Sequence, residues 1–403
     1  MDMMLSQIAD VVNGEIRGAD VSITAAAIDS RRVAPGDLFV ALDGERVRGI
    51  DYVDSALDNG AAAALIAEPL SDTLSSVVVK DPLQALQTMS AYWRSKVDAV
   101  VIAVTGSNGK TTMRSMIAAC LGDASFATEG NYNNHIGVPM MLTRLDRSHR
   151  RAVLELGANH HGEIAEMAAW VKPDIAIITN AGPAHLEGFG SIEGVAHAKG
   201  ELFESLDENG IAVINADDPY APLWHDLAAP ASTVSFGSTS HADYWYSELE
   251  TSPNGVRFKL HVPGDEAEVH LALDGDHNAL NAVGAAAVTH SAGISLGDIV
   301  DGLASVAPEP GRQDPLRALN GATVFDDSYN ANPASMHAAA KMLAASYAKP
   351  WMVIGDMGEL GADSETMHFE TGAAIREAGV ARLFAFGPMS AYAAEGFGDG
   401  AQH

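Results

Sequence analysis

The densest cluster of chemically capable residues is Thr105-Gly106-Ser107-Asn108-Gly109-Lys110-Thr111-Thr112. Two glycines let a backbone turn tightly enough for its N–H groups to face an anion. A lysine at that turn would reach terminal phosphates, and the hydroxyl of the next residue, Thr111, would sit on Mg²⁺. Val104 stands where the usual phosphate loop has its first glycine, so this is a shortened T-G-x-x-G-K-T form. An ordinary glycine-rich turn is the plainer alternative. The flanks favour the phosphate loop. Val100 to Val104 is an apolar run of strand type, and Met113 to Cys120 has helical spacing. Strand, turn and helix in that order put a helix N-terminus, with its partial positive charge, at the turn.

Four further clusters follow apolar runs. Glu155 lies inside Arg151–Leu156, and a carboxylate there needs either a cation or a solvated face. Gly130–Pro139 gathers amides, Asn134 among them, and reads equally as a turn-rich loop. His185, just beyond Ile175–Thr179, is either structural or a metal ligand. Lys199 sits one turn from Val195 and Phe203 on a helix. There it either snorkels to solvent or loses its proton by desolvation. A neutral amine reacts with carbon dioxide to give a carbamate, which is an anionic metal ligand. Asn278 and Asn281, three apart on a predicted helix, suit a base edge or ribose, with capping as the alternative for Asn278.

The alternation of strand and helix from about residue 84 predicts a doubly wound parallel sheet. Its expected strands are Val100–Val104, Arg151–Leu156, Ile175–Thr179 and Ile211–Asn215. In such sheets ligands sit beyond the carboxyl ends of the strands, where these clusters fall. Residues 231–275 alternate as antiparallel strands would. Pro308–Gln313 has the composition of a linker, and the strands expected near Thr323, Trp351 and Arg382 would open a second α/β domain. Before Pro82, short elements include an expected strand at Leu38–Leu42. Ser30, Arg31 and Arg32 there form either a solvated turn or a phosphate contact.

Composition bounds the classes. The chain has 403 residues, 47% hydrophobic and 19% charged, enough for packed cores in two or three domains. No apolar run approaches the ~18 residues of a membrane span, and the single Cys120 excludes an internal disulfide. A cytoplasmic monomer is expected. A formal charge of −29 disfavours a nucleic-acid partner and requires basic residues focused at any phosphate site.

Taken in order, the motifs resemble the Mur ligases. They are Thr105–Thr112, Asn131–Pro139, Glu155–Glu163, Ala184–Ser191, Ala198–Phe203, Gly311-Arg312, Asp326–Asn332 and Gly355–Gly361. E-L-G-A-N-H, A-H-L-E-G-F-G-S and D-D-S-Y-N-A-N-P are similar to the D-alanyl-D-alanine-adding branch of that family. The resemblance implies three domains: residues 1–83 for the UDP end of the substrate, 84–310 for ATP, and a Rossmann-like 311–403. That last domain is expected to be incomplete against the family's length. The implied reaction is ADP-forming amide ligation in peptidoglycan precursor synthesis, with UDP-N-acetylmuramoyl-tripeptide and D-alanyl-D-alanine as substrates. ATP and two Mg²⁺ ions are implied, with carbamylated Lys199. Thr111 and Glu155 would bind one ion, and His185 with Lys199 the other. Thr105 to Thr112 (Thr105, Gly106, Ser107, Asn108, Gly109, Lys110, Thr111, Thr112), Asn278, Asn281, Arg312, Asp327 and Asn330 would hold ATP. Lys110, Lys199, His185 and Arg312 would serve catalysis. Ser30, Arg31, Arg46, Asn134 and Tyr329 would contact the other substrates. Ile50 stands where family members usually carry His. Two rivals are another amide ligase of the superfamily and a nucleotide switch that binds ATP without ligating.

Overall fold

A computed structural model describes residues 1–252 and 255–403. Residue contacts divide the chain into two compact units. The first holds residues 1–103, 124–156 and 166–173; the second holds residues 104–123, 157–165 and 174–403.

In the first unit a five-stranded sheet runs in the order Glu15–Arg17, Ser76–Val78, Ala63–Ile66, Asp37–Val40, Ala25–Ala27. Only its Glu15–Arg17 edge is antiparallel. The expected strand at Leu38–Leu42 ends at Val40 and begins at Asp37. Its core packs Phe39, Val53, Ala56, Ala64 and Ile66. Pro82 breaks the preceding pattern by starting the helix Pro82–Arg94, whose Asp81 cap accepts from the Leu83 and Gln84 N–H groups at 3.0 Å. Residue 83 therefore lies in the first turn of a helix. The parallel pair Ser125–Ala127 and Arg151–Glu155 also belongs to this unit. The physical ties are specific. Trp93 donates to the Leu145 carbonyl at 2.7 Å, Gln87 to that of His135, and the N-terminal ammonium to that of Thr143 at 2.6 Å. These bonds attach residues 124–156 to the helix Pro82–Arg94 and to Met1.

The second unit carries the parallel strands Ile175–Ile178, Ile211–Asn215 and Ser232–Phe236. Ser232–Phe236 corrects the sequence reading, which expects antiparallel strands from residue 231. The helix Ala221–Leu227 returns the chain in the same direction, as a crossover does. The antiparallel sheet is Trp245–Ser252, Gly255–Val262 and Asp265–Leu271. Pro253 and Asn254, within that expected stretch, lie outside the described residues. Helix Asp276–Ser291 packs on the helix Lys110–Leu121. The strand expected near Thr323 is present as Thr323–Asp326, and it pairs antiparallel with Asp314–Arg317. The parallel strands Trp351–Ile354, Arg382–Ala385 and Ala401–Gln402 make their own sheet over Ala340, Ile375, Ala393 and Phe397.

Candidate active site

In the second unit, the shortened loop turns between Val104-Thr105 and the helix that begins at Lys110. Gly106 has φ +145°, and a Cβ there would lie 1.9 Å from Thr179 Oγ1, so only glycine fits. Gly109 has φ +79°, and a Cβ there would meet Asn281 Oδ1 at 3.0 Å. Asn281 therefore lies against the loop. The segment Thr179–Gly182 holds the loop from behind. Ser107 N–H donates to the Asn180 carbonyl (2.9 Å) and Asn108 N–H to Asn180 Oδ1 (3.0 Å). The Thr179 hydroxyl and the Asn180 amide both donate to the Asn108 carbonyl. Two loop N–H groups are thus committed to scaffolding. That narrows the sequence reading, in which the loop's N–H groups face phosphate. Lys110 Nζ folds back on the carbonyls of Gly106 (2.8 Å) and Ser107 (3.3 Å).

Lys199 is 1% exposed on the helix Ile192–Glu204. Of the two alternatives left by the sequence, the buried one holds. Its Nζ lies 3.4 Å from the Ala158 carbonyl and 5.2 Å from the Phe189 ring centre. Burial, helped by the charge of Lys110, lowers its pKa to about 7. The His185 ring meets the edge of the same Phe189. His185 itself is left-handed, at φ +55°. Burial holds its pKa below the ordinary value; Glu359, hydrogen-bonded to Nδ1, opposes that, and Lys110 and Lys199 reinforce it. Lys110, Lys199 and His185 are therefore close enough to feel one another's charge.

Arg312 joins them from the linker. Its Nη2 donates to Thr111 Oγ1 at 2.8 Å, and its guanidinium stacks 4.0 Å above the Tyr329 ring. Asp327 accepts from Gln313 N–H (3.3 Å), and Asn330 bonds its own neighbour Ala331. Asn278 is not the helix cap; Gly275 is, and Asn278 donates to the Asp274 carbonyl at 2.7 Å. Several neighbours escape the sequence reading. Asn332 caps the helix Pro333–Ser346 and donates to Asn108 Oδ1 at 2.7 Å. The Asn-Pro-x-Ser pattern announces the cap but not its contact with the loop. Glu359 lies within the quoted Gly355–Gly361 motif, yet nothing local assigns it to His185.

In the first unit, Glu155 is 1% exposed. One carboxylate oxygen accepts from Asn133 Nδ2 at 2.8 Å, while Oε2 is buried with no hydrogen-bond partner. A buried anionic oxygen of that kind calls for a cation. The Glu155 carboxylate is a hard oxygen donor of the kind Mg²⁺ takes. Among the described residues, no three His, Cys, Asp or Glu side chains gather as a metal cluster. Asn134 Oδ1 is occupied by the N–H groups of Ile136 and Gly137 at a helix start. The Ser30 side is buried, Arg46 is exposed, and Arg31 is exposed and paired in a fork with Asp29. Arg31 thus spends both arms on its own turn. Asp29 is held down to about 2 by that fork. Arg32, the third member, instead bonds the Tyr132 hydroxyl at 2.9 Å.

Three stretches of the chain match known family models. Residues 22–92 match the Mur ligase family catalytic domain, residues 104–289 the Mur ligase middle domain, and residues 311–402 the Mur ligase glutamate ligase domain. The UDP-N-acetylmuramoyl-tripeptide–D-alanyl-D-alanine ligase of Escherichia coli K12 is 42% identical over 393 residues, which is 97% of this chain and 87% of that one. The enzyme of the same name from Bacillus subtilis 168 is 34% identical, again over 97% and 87%. Among solved structures, MurF from Acinetobacter baumannii superposes with a TM-score of 0.93 at 35% identity, covering 100% of this chain and 89% of that one. The MurF ligase of Thermotoga maritima in complex with ADP gives 0.81 at 28% identity, covering 91% and 86%. The chain belongs to the Mur ligase family, and to the branch of it that these relatives form.

Proposed function

We propose that this chain is an ATP-dependent ligase joining D-alanyl-D-alanine to UDP-N-acetylmuramoyl-tripeptide in peptidoglycan precursor synthesis. The observation that carries the reading is one constellation: a phosphate loop with Lys110 and Thr111, the linker guanidinium of Arg312 on Thr111, and the buried amine of Lys199.

The chemistry follows from the charges. A carboxylate is a poor electrophile because oxide cannot leave. Attack of a substrate carboxylate oxygen on the γ-phosphorus forms one P–O bond and breaks another, releasing ADP and leaving an acyl phosphate. Lys110 and Arg312 neutralise charge that spreads over the transferring oxygens. The dipeptide amine then attacks the acyl carbon, and phosphate leaves from the tetrahedral intermediate as the nitrogen gives up its proton. Two Mg²⁺ ions, when bound, supply further electrostatic stabilisation of the phosphoryl oxygens. Thr111, Glu155, His185 and carbamylated Lys199 would hold them. Asn278, Asn281, Asp327 and Asn330 serve the nucleoside end. Ser30, Arg31, Arg46, Asn134 and Tyr329 serve the other substrates, Arg31 only after releasing Asp29. The domains run over residues 1–83, 84–310 and 311–403. The protein works in the cytoplasm as a monomer without a nucleic-acid partner. No helix among the described residues is long and apolar enough to cross a membrane.

The test is phosphate release from ATP and Mg²⁺ in the presence of UDP-N-acetylmuramoyl-tripeptide. D-alanyl-D-alanine is expected to support turnover, and single amino acids to leave it at background. Turnover driven by a single amino acid, or by a folate with glutamate, overturns the substrate assignment. ATP binding with no coupled release under any acceptor favours a switch over an enzyme.

A further inference from the structure

The linker that carries Arg312 is anchored to the helix that carries Thr111. Thr111, Arg114 and Ser115 lie three and four residues apart, so they share one face of the helix Lys110–Leu121. Glu309 and Arg312 are likewise three apart, within Pro308–Gln313. The two segments meet residue for residue. Arg312 donates to Thr111, while Glu309 accepts from Arg114 Nη2 at 2.9 Å and from the Ser115 hydroxyl. The Arg114 side chain is only 7% exposed and Glu309 is one-third exposed. A guanidinium so buried is retained only with a charged partner.

The backbone between the two linker residues is a tight turn. Arg312 N–H donates to the Glu309 carbonyl at 2.9 Å, Gly311 sits at φ +72°, and Tyr329 N–H donates to the Gly311 carbonyl. Pro308 and Pro310 fix φ on either side of Glu309. Once Glu309 is fixed, the path to Arg312 has little freedom left.

We propose that Glu309, held by Arg114 and Ser115, is a positioning residue that sets where Arg312 meets the terminal phosphate of ATP. The inference rests on the ligase reading, in which Arg312 touches that phosphate. Pre-organisation of this kind removes the ordering cost of the linker from the binding step.

Arg312 senses the γ-phosphate, so its effect is read as the ratio of ATP to ADP affinity in Mg²⁺, measured by titration calorimetry. Arg312→Ala is expected to lower the ratio about tenfold or more, the range for a lost hydrogen bond between charged groups. Glu309→Ala lowers it to the same level while ADP affinity stays within about twofold of the parent, and adds nothing in the Arg312→Ala background. Glu309→Gln, which keeps the acceptor oxygen, recovers most of the ratio. If Glu309→Ala fails to fold because buried Arg114 loses its carboxylate, the paired variant Arg114→Leu with Glu309→Leu removes both charges and is expected to show the same loss. ATP and ADP affinities falling together, an unchanged ratio, or additivity with Arg312→Ala overturns the proposal. An unchanged ratio in Arg312→Ala itself overturns the assigned role of Arg312, and this inference with it. The acceptor test above is independent of either result.

Discussion

At the scale of single residues, Lys199 sits in an environment far from its ordinary one. A lysine in water titrates near 10.5; here burial brings it to about 7. The folded chain therefore releases this proton at a pH where the unfolded chain still holds it. Unfolding takes up a proton between about pH 7 and 10.5, so the site's contribution to stability rises with pH across that window. Below pH 7 both states are protonated and the full desolvation penalty is felt. Lys199→Met removes the penalty without leaving a hole. In buffer freed of carbon dioxide the variant is expected to melt a few degrees above the parent at pH 6, with the gain shrinking toward pH 10. A gain independent of pH, measured by thermal melts at both ends, would show that Lys199 is not desolvated in solution. The same property makes the amine nucleophilic near neutrality, which is what carbamylation needs. Stability and chemistry are thus opposed at this residue, as they often are at functional sites.

At the scale of elements, the phosphate loop depends on its neighbour. Thr179–Gly182, beyond the strand Ile175–Ile178, binds Ser107 and Asn108 through backbone and side chain. Asp218 steadies this segment by accepting from Ala181 N–H at 2.8 Å. Gly106→Ala tests the arrangement, because the new methyl would overlap the Thr179 hydroxyl in a backbone conformation that alanine disfavours. Strain of about 1–3 kcal/mol is expected. It would appear as a loss of ATP affinity of about ten- to a hundredfold by calorimetry. Wild-type affinity would mean that the loop reshapes freely.

Local order made the loop legible in the sequence. Apolar run, paired glycines, Lys-Thr and helical spacing are all contiguous, and each agrees with the rest. Lys199 and Glu155 were legible only as open choices, since spacing cannot say which face of a helix or strand a neighbour covers. Contacts spanning long stretches of chain were not legible at all. Glu359 lies 174 residues from its partner His185, and Asn332 lies 224 from Asn108. Strand direction failed for a related reason. Ser232–Phe236 carries an alternating pattern, but the preceding helix, not the pattern, decides that it runs parallel.

At the scale of the whole molecule, charge is the dominant fact: 53 acidic against 24 basic side chains. Much of the basic complement is already spent. Arg17, Arg31, Arg48, Arg257 and Lys259 pair with carboxylates at the surface, Arg17, Arg257 and Lys259 with two each. Exposed pairs contribute only about 0–1 kcal/mol each. Lys110, Lys199 and Arg312 are spent at the candidate site. The excess negative charge repels itself, and that repulsion is released when the chain expands. Salt acts on both terms. It weakens the pairs, and it shortens the Debye length from about 10 Å at 0.1 M to about 3 Å at 1 M, which silences repulsion over longer distances first. Repulsions outnumber attractions in this chain, so the second effect wins. The melting temperature is expected to rise between about 0.05 and 0.5 M NaCl, and equally in KCl, since screening depends on ionic strength and not on the ion. The same field repels an approaching nucleotide, so its association rate constant should also rise with salt, opposite to the behaviour of an attracted ligand. A melting temperature that falls with salt would show that the surface pairs outweigh the repulsion and that the acidic excess does not set the stability of this protein.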